Sequence, residues 1–464
     1  MKKRWLALLA TVVLLSMIVP SVVFAQAYQT SFTTSITYQN VGTESASIVV
    51  EFYDSPNATV PIVITRPALA PLASASLFVG GLTEVASGFR GSAVMQSDQP
   101  LLATMVQLPQ GPGTRNRPLS NGFPDAGSEQ VLVATVLRNM FNTNTIFSIQ
   151  NTGMSASAVT FRFYNTAAVQ VHSFTETVQP GAAYYVDAGT ITQLGATFNG
   201  SAVVEAPGGS IVGGVMELST TGSAASAFEG VGEGASTVYM PSALCQAFGA
   251  DTAYAVQNTS LSTTTSVTVR YSNGVNHTQQ IAPGAKASFV ACQAPGMTSG
   301  FNGSAEIEST ATPIIAIGKA YGSGLSTAFV GVPEGGGASE IGLPYVRWAT
   351  DANYAAGTQQ RVFLTIQNIG DANLAAGSVV VRYIDRHGVE LGTHTLGALA
   401  AGQKLNSNAA MAGLTEFGID NGTFGGGAIV EGPDGSELAV VARVSTQVAA
   451  GQFASEDYSG MPLP

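Results

Sequence analysis

Four histidines, two cysteines and twenty-nine carboxylates are the side chains in this sequence most able to do chemistry. The histidines, His172, His277, His387 and His394, are scattered without metal-ligand spacing. His387 follows Asp385-Arg386 in what reads as a hairpin turn. There is no Gly-x-Ser-x-Gly elbow, phosphate loop or Cys-x-x-Cys pair. Gly230-x-Gly232-x-Gly234 falls in a linker and opens no helix, which the dinucleotide fingerprint requires. We therefore assign no catalytic, cofactor-binding or metal-ligating residue, and expect no cofactor and no enzyme.

Three other patterns carry chemistry of a structural kind. Cys245 and Cys292 fall in one domain of an exported chain, which reads as a disulfide, with a pair of buried thiols as the alternative. Closing that loop would stabilise its domain by about 4 kcal/mol in the chain-entropy account. Arg162, Arg270 and Arg382 recur at one place in a repeat, and Glu205, Glu308 and Glu431 at another. On neighbouring strands they would make cross-strand pairs worth at most about 1 kcal/mol each; otherwise they are independent solvated positions. A calcium site built on the same glutamates lacks the Asp-x-Asp-x-Asp cluster it would need. Asn199-Gly200-Ser201 and Asn302-Gly303-Ser304 match the glycosylation sequon but coincide with a step of the repeat.

The elements around these residues start with an export signal over residues 1–27. Lys2, Lys3 and Arg4 precede an apolar run from Trp5 to Ala25, and small residues then allow cleavage after Ala25 or after Ala27. An uncleaved N-terminal anchor is the competing reading, against which Pro20 argues. No later stretch is apolar enough to cross a bilayer as a helix, so no transmembrane segment is expected in the mature chain. Charged residues are only 10 %, far below the roughly 25 % of ordinary soluble domains. Gly reaches 53, and Ser, Thr, Ala and Val are abundant, a mixture suited to short strands and tight turns. The net charge of −11 disfavours nucleic acid and anionic lipid as partners.

Self-similarity is the strongest signal. An apolar or aromatic residue followed by Gln-Asn occurs as Tyr38-Gln39-Asn40, Ile149-Gln150-Asn151, Val256-Gln257-Asn258 and Ile366-Gln367-Asn368. Alternating strands follow: Val50-Glu51-Phe52-Tyr53, Phe161-Arg162-Phe163-Tyr164, Val269-Arg270-Tyr271 and Val381-Arg382-Tyr383. Then comes an aromatic before small residues, with Phe89, Phe198, Phe301 and Phe424 in the four copies. Each phenylalanine is expected to anchor the core of its unit, and the glycine beyond it to permit close approach. The Gln-Asn-x-Gly step reads as a tight turn with Asn and Gly at positive φ.

About seven strands per unit, with turn signals between them, give the pattern of an immunoglobulin-like sandwich. The layout resembles the tandem immunoglobulin-like and cell-adhesion-related repeats of bacterial surface proteins, including the Pro180-Gly181-Ala182 and Pro283-Gly284-Ala285 turns. That resemblance implies a surface location and names no ligand. The expected fold is all-β: four tandem immunoglobulin-like β-sandwich domains at 28–112, 129–234, 236–334 and 341–457, joined through Gly-rich linkers. A strand-like tail at 458–464 follows.

The first unit has little room for the extra initial strand that the others carry, and the tail resembles such a strand without a domain behind it. Phe453 reads as the counterpart of Phe228 and Phe329. Donation of the tail to another copy would build a head-to-tail filament; a frayed terminus is the alternative. The expected function is that of a secreted, non-enzymatic structural or adhesive protein of the cell surface, an S-layer-like, stalk or filament component. Its partners would be other surface proteins or copies of itself. An extracellular array binding glycans or proteins through domain-end loops is the alternative.

Overall fold

The computed structural model describes residues 31–464 apart from 111–115, 124–126, 223, 323–324, 351, 353, 355–356, 421 and 450–451. The export signal at 1–27 lies outside the described residues. The described chain is all-β, with short 3-10 turns and no α-helix.

The second unit shows the pattern. Its eight strands are Gln130–Arg138, Thr143–Asn151, Ser157–Asn165, Gln170–Val178, Ala183–Asp187, Phe198–Glu205, Ile211–Ser219 and Ala225–Glu229. Period-2 alternation turns Val159, Phe161 and Phe163 inward, all fully buried, and leaves Thr160 and Arg162 outward. They meet Phe147, Ile149, Val215 and Phe228 from the facing sheet. Burying rings of this size contributes about 2–3 kcal/mol each.

Two antiparallel sheets form, one ordered fourth-third-sixth-first and the other fifth-second-seventh-eighth. In an immunoglobulin domain the first strand lies beside the second and the seventh beside the sixth. Here the two have changed places. The first strand borders the sixth, the seventh borders the second, and the 139–142 turn crosses between sheets. The expectation of a two-sheet sandwich matches; the immunoglobulin strand order does not. A period-2 pattern records which face a residue takes and carries no information about which strand lies alongside.

Several expected boundaries move. The segment after residue 112, read as a linker, supplies the strand Leu119–Asn121, which pairs with Thr104–Val106 and belongs to the first unit. The tail is not a free strand. Met461–Pro462 pairs with Gly342 and Ile341 of its own unit, as Val332–Pro333 pairs with Tyr239 and Val238 in the third. Tyr458, 2 % exposed, is the counterpart of Phe228 and Phe329, whereas Phe453 faces out. A strand already paired within its unit is not free for donation, so the head-to-tail filament loses its donor. In the first unit, Gly91–Ser97 pairs on one side with Ala46–Asp54. Among the described residues no strand covers its other edge.

Of the four repeat phenylalanines, Phe198 is buried. Phe89 and Phe301 are half-buried, standing edge-on to Phe52 at 6.1 Å and to Tyr271 at 6.0 Å. Phe424 is the exception at 37 % exposure. Its place is taken by Phe417, edge-on to Tyr383 at 5.6 Å. The longer insert in the fourth unit forms the hairpin Ile419–Asp420 and Thr423–Phe424, which turns Phe424 outward onto Arg347, 4.4 Å from the ring centre.

The largest departure is in the arrangement of units. They do not string out as a stalk. The first packs on the second, the second on the third, the third on the fourth, and the fourth on the first, closing a ring. Ala225–Glu229 of the second unit meets its counterparts Leu119–Asn121, Leu325–Val330 and Gln452–Ser459 at the centre, where Pro118, Ser226, Thr327 and Glu456 occupy matching places.

Candidate functional site

The joints of this ring are built from the repeat motifs. At each one a left-handed turn residue of one unit (Leu72, Gly181, Gly284 or Gly402) projects towards its neighbour. The serine after Phe-x-Gly caps the turn across the joint. Ser92 Oγ donates to Gly181 O at 2.6 Å, Ser201 Oγ to Gly284 O at 2.7 Å, and Ser304 Oγ to Gly402 O at 2.7 Å. In the fourth unit Gly427 stands where the serine would be, and the closing joint uses different atoms. Ser74 Oγ accepts from Gly426 N at 2.8 Å, while Ser74 N donates to Arg386 O at 3.1 Å.

The Gln-Asn pair positions these turns. Gln39, Gln150 and Gln367 donate to Leu72 O, Gly181 O and Gly402 O of their own units, at 2.9, 2.9 and 3.3 Å. Each asparagine is a clamp. Asn151 Nδ2 reaches Ser155 O and Val178 O at 2.8 and 2.9 Å, and its Oδ1 accepts from Gly153 N. Asn40, Asn258 and Asn368 make the same set of bonds, and all four are buried. The positive-φ reading of this step is therefore corrected: the asparagine ends a strand and works through its side chain, as in an Asx-turn. The glycine of the Phe-x-Gly step does serve close approach. A Cβ on Gly91, Gly200 or Gly303 would lie within 2.4–2.6 Å of the preceding phenylalanine ring.

Gly181 gives a direct test of a joint. Its φ is +77°, and an added Cβ would fall 2.5–2.7 Å from three atoms of the Tyr53 ring. Gly181→Ala should cost about 2–4 kcal/mol from left-handed strain and overpacking together. Gly435→Ala, at φ +75° with open space around it, should cost only about 1 kcal/mol in the same urea titration.

Charge concentrates inside the joints. Between the second and third units, Lys319 Nζ lies 2.6 and 2.7 Å from the Glu217 oxygens, and Lys286 Nζ donates to Thr135 at 3.1 Å. Burial, with the Lys319 charge alongside, lowers the Lys286 ammonium to about 7. At the centre, Arg443 grips Asp457 through two bonds of 2.9 and 2.7 Å, and Thr327 of the third unit donates to the same carboxylate. Glu456 accepts from Arg117 N at 2.8 Å, and burial raises its carboxyl to about 7. Burial also raises Glu229, whose carboxylate accepts from Asn121 N of the first unit. These groups lie within the contacts that hold the ring together.

All three Arg–Glu positions form cross-strand pairs: Arg162 with Glu205, Arg270 with Glu308 at 2.8 Å, and Arg382 with Glu431 at 2.5 Å. They sit at the surface, where such pairs contribute little. The histidines stay apart. His172 stacks on Phe163, His277 stands edge-on to Phe289, His394 meets Ser407, and His387 lies near Asp420.

Two exposed side chains outside the joints have no place in the sequence-based expectation, whereas the disulfide beside one of them matches it. Phe141 and Phe248 occupy the same place in the second and third units, at the tip of the tight turn between first and second strands. Both have φ of +54°, and they are 73 % and 87 % exposed. Bulky residues rarely adopt that conformation, and Asn or Gly is the usual choice. Beside the second tip, the Cys245–Cys292 disulfide ties the end of the first strand to the turn after the fifth. The sequence signal was available, since Asn139-Met140-Phe141-Asn142 and Gln246-Ala247-Phe248-Gly249 align in the repeat.

No family model matches the chain, and no curated protein is similar to it. Among solved structures, one described as giving structural insight into host cell surface retention of a 1.5-MDa bacterial ice-binding adhesin matches at 14 % identity. The match covers 72 % of this chain and 98 % of that chain, with a TM-score of 0.12. A superposition that poor carries no argument about fold or role.

Proposed function

We propose that the chain is an exported, non-enzymatic structural or adhesive protein of the cell surface, a rigid four-lobed platform that makes contact through hydrophobic tips. The observation that carries this reading is the pair of exposed phenylalanines. Each sits in a left-handed conformation that costs about 1–2 kcal/mol for a side chain with a Cβ. Among the described residues nothing offsets that cost by burying either ring, so a contact outside the chain is the natural beneficiary. The disulfide braces one of the two.

Phe141→Asn together with Phe248→Asn tests this reading. Asparagine tolerates the left-handed region, so stability should rise by about 1 kcal/mol per site. Retention of the protein on the surface of the producing cells, followed by fractionation, should fall in the same variant. Undiminished retention, or recovery of the wild type from the cytoplasm alone, would overturn the proposal. Small-angle scattering of the mature chain should give a radius of gyration of about 22 Å, as for one compact body of this length.

A further inference from the structure

We infer that the joint between the third and fourth units is a binding site for a phenolic ring, with the tyrosine side chain of a partner protein as its fitting occupant. This inference stands apart from the role proposed above, because it comes from comparing one joint with its two sisters.

In the first joint the Tyr53 ring lies flat over the Gly181 turn. Its hydroxyl donates to Glu51 Oε2 at 2.8 Å. In the second joint the Tyr164 ring lies beside Gly284, 3.3 Å from where a Cβ would project. Its hydroxyl donates to Gln170 Oε1 at 3.1 Å. The third joint keeps the scaffold and lacks the ring. Val269-Arg270-Tyr271-Ser272 aligns with Phe161-Arg162-Phe163-Tyr164, so Ser272 stands where the tyrosine would be. The turn has not moved in to close the gap. Ser304 Oγ still caps Gly402 O at 2.7 Å, and Gln403 Nε2 donates to Ser272 O at 3.2 Å.

The result is a cleft of about 370 Å³ bounded by Ser272, Gly402, Gln403, Asn276, Arg270 and Glu306. Among the described residues, and apart from its own chain neighbours, no atom lies within 4 Å of the position a Cβ on Gly402 would take, whereas the matching point on Gly181 is covered by a ring. That volume is within the roughly 300–1,000 Å³ common for small-ligand sites. The chemistry of a phenol is matched as well. A flat peptide turn is the surface on which Tyr53 rests in the first joint. Asn276, which lines the cleft from the strand Asn276–Ile281 and lies opposite Arg270, carries an amide oxygen able to accept from a phenol hydroxyl. The polar rim would also suit a sugar; what favours a planar ring is the floor, bare backbone at Gly402 like the turn under Tyr53 in the first joint.

The test uses the full mature chain and follows the Ser272, Gly402 and Gln403 backbone amides by nuclear magnetic resonance. Titrating p-cresol, the tyrosine side chain in isolation, should give saturable shifts confined to these residues. N-acetyltyrosine amide as a second probe separates the sources: binding of both fits a tyrosine presented by a protein, and binding of p-cresol alone fits a free phenol. Ser272→Tyr places an internal ring in the cleft and should abolish the shifts at an unchanged or higher melting temperature. Ser272→Ala should leave them intact. Should Ser272→Tyr fail to fold, Asn276→Leu gives an independent reading, weakening p-cresol by about fivefold for one lost hydrogen bond. The inference is overturned by absence of saturable shifts in the wild type, by equal binding to Ser272→Tyr, or by methyl glucoside saturating the site where p-cresol does not.

Discussion

Replacing Glu217 by glutamine should destabilise the protein by about 3–5 kcal/mol, the usual cost of breaking one side of a buried ion pair. Glu217 is 7 % exposed on the seventh strand of the second unit, and both its oxygens face Lys319 of the third. Thr135 Oγ1 joins the group, donating to Glu217 at 3.2 Å and accepting from Lys286 at 3.1 Å and Lys319 at 3.3 Å. One carboxylate thus stands between two ammonium groups. Without it, two buried like charges face each other across the joint, and Lys286 is driven further towards its neutral form. The attraction lost and the repulsion exposed act in the same direction. Adding Lys319→Met to Glu217→Gln should recover most of the loss, since apolar replacement of a buried pair is often neutral or better. Urea titrations of the two single variants and the double give the coupling directly. A Glu217→Gln variant within about 1 kcal/mol of wild type would show that water reaches the joint and screens it.

This charged group also marks where sequence reasoning ran out. The four units, their alternating faces and the recurrence of Gln-Asn were legible because local patterning sets which residues turn inward. The Arg–Glu pairs were legible as a possibility, since matching places in the repeat put the two residue types at fixed offsets. The ring was not legible. Its joints rest on serine hydroxyls and glycine carbonyls, and Phe-x-Gly-Ser and Pro-Gly-Ala read in sequence as turn punctuation. Their repetition was the available clue: Ser92, Ser201 and Ser304 recur at one place, and a turn needs no invariant hydroxyl. Lys286, Lys319 and Glu217 fall at positions that one sandwich alone would leave at its surface. Only packing against a second unit buries them. Phe424 failed for a different reason. An insert of uncertain length moves the aromatic step, and Phe417, seven residues earlier, satisfies the same burial requirement. Phe453 shares its residue type with Phe228 and Phe329, but strand register gives their place to Tyr458.

Stability should pass through a trough near pH 7 on account of two groups in these joints. Glu456 keeps its proton in the folded ring up to about pH 7, whereas the unfolded chain releases it near pH 4.5. Between those values the unfolded state binds fewer protons, so stability falls as pH rises, by about 3 kcal/mol in all. Burial dominates this shift, opposed by Arg117 and reinforced by the neighbouring Asp457 charge. Lys286 acts on the other side. It is neutral in the folded ring above about pH 7 and charged in the unfolded chain up to about 10.5. Across that range the unfolded state binds more protons, and stability climbs by about 5 kcal/mol. Each limb has its own eraser. The difference between wild type and Glu456→Gln should grow from pH 4.5 to 7 and then level off. The difference between wild type and Lys286→Met should be constant below pH 7 and shrink above it, with the methionine variant more stable at neutral pH. Subtracting each variant from wild type at every pH cancels the carboxylates common to both. Parallel curves for wild type and Glu456→Gln would mean that this glutamate titrates as an ordinary one, and that the centre of the ring is wet.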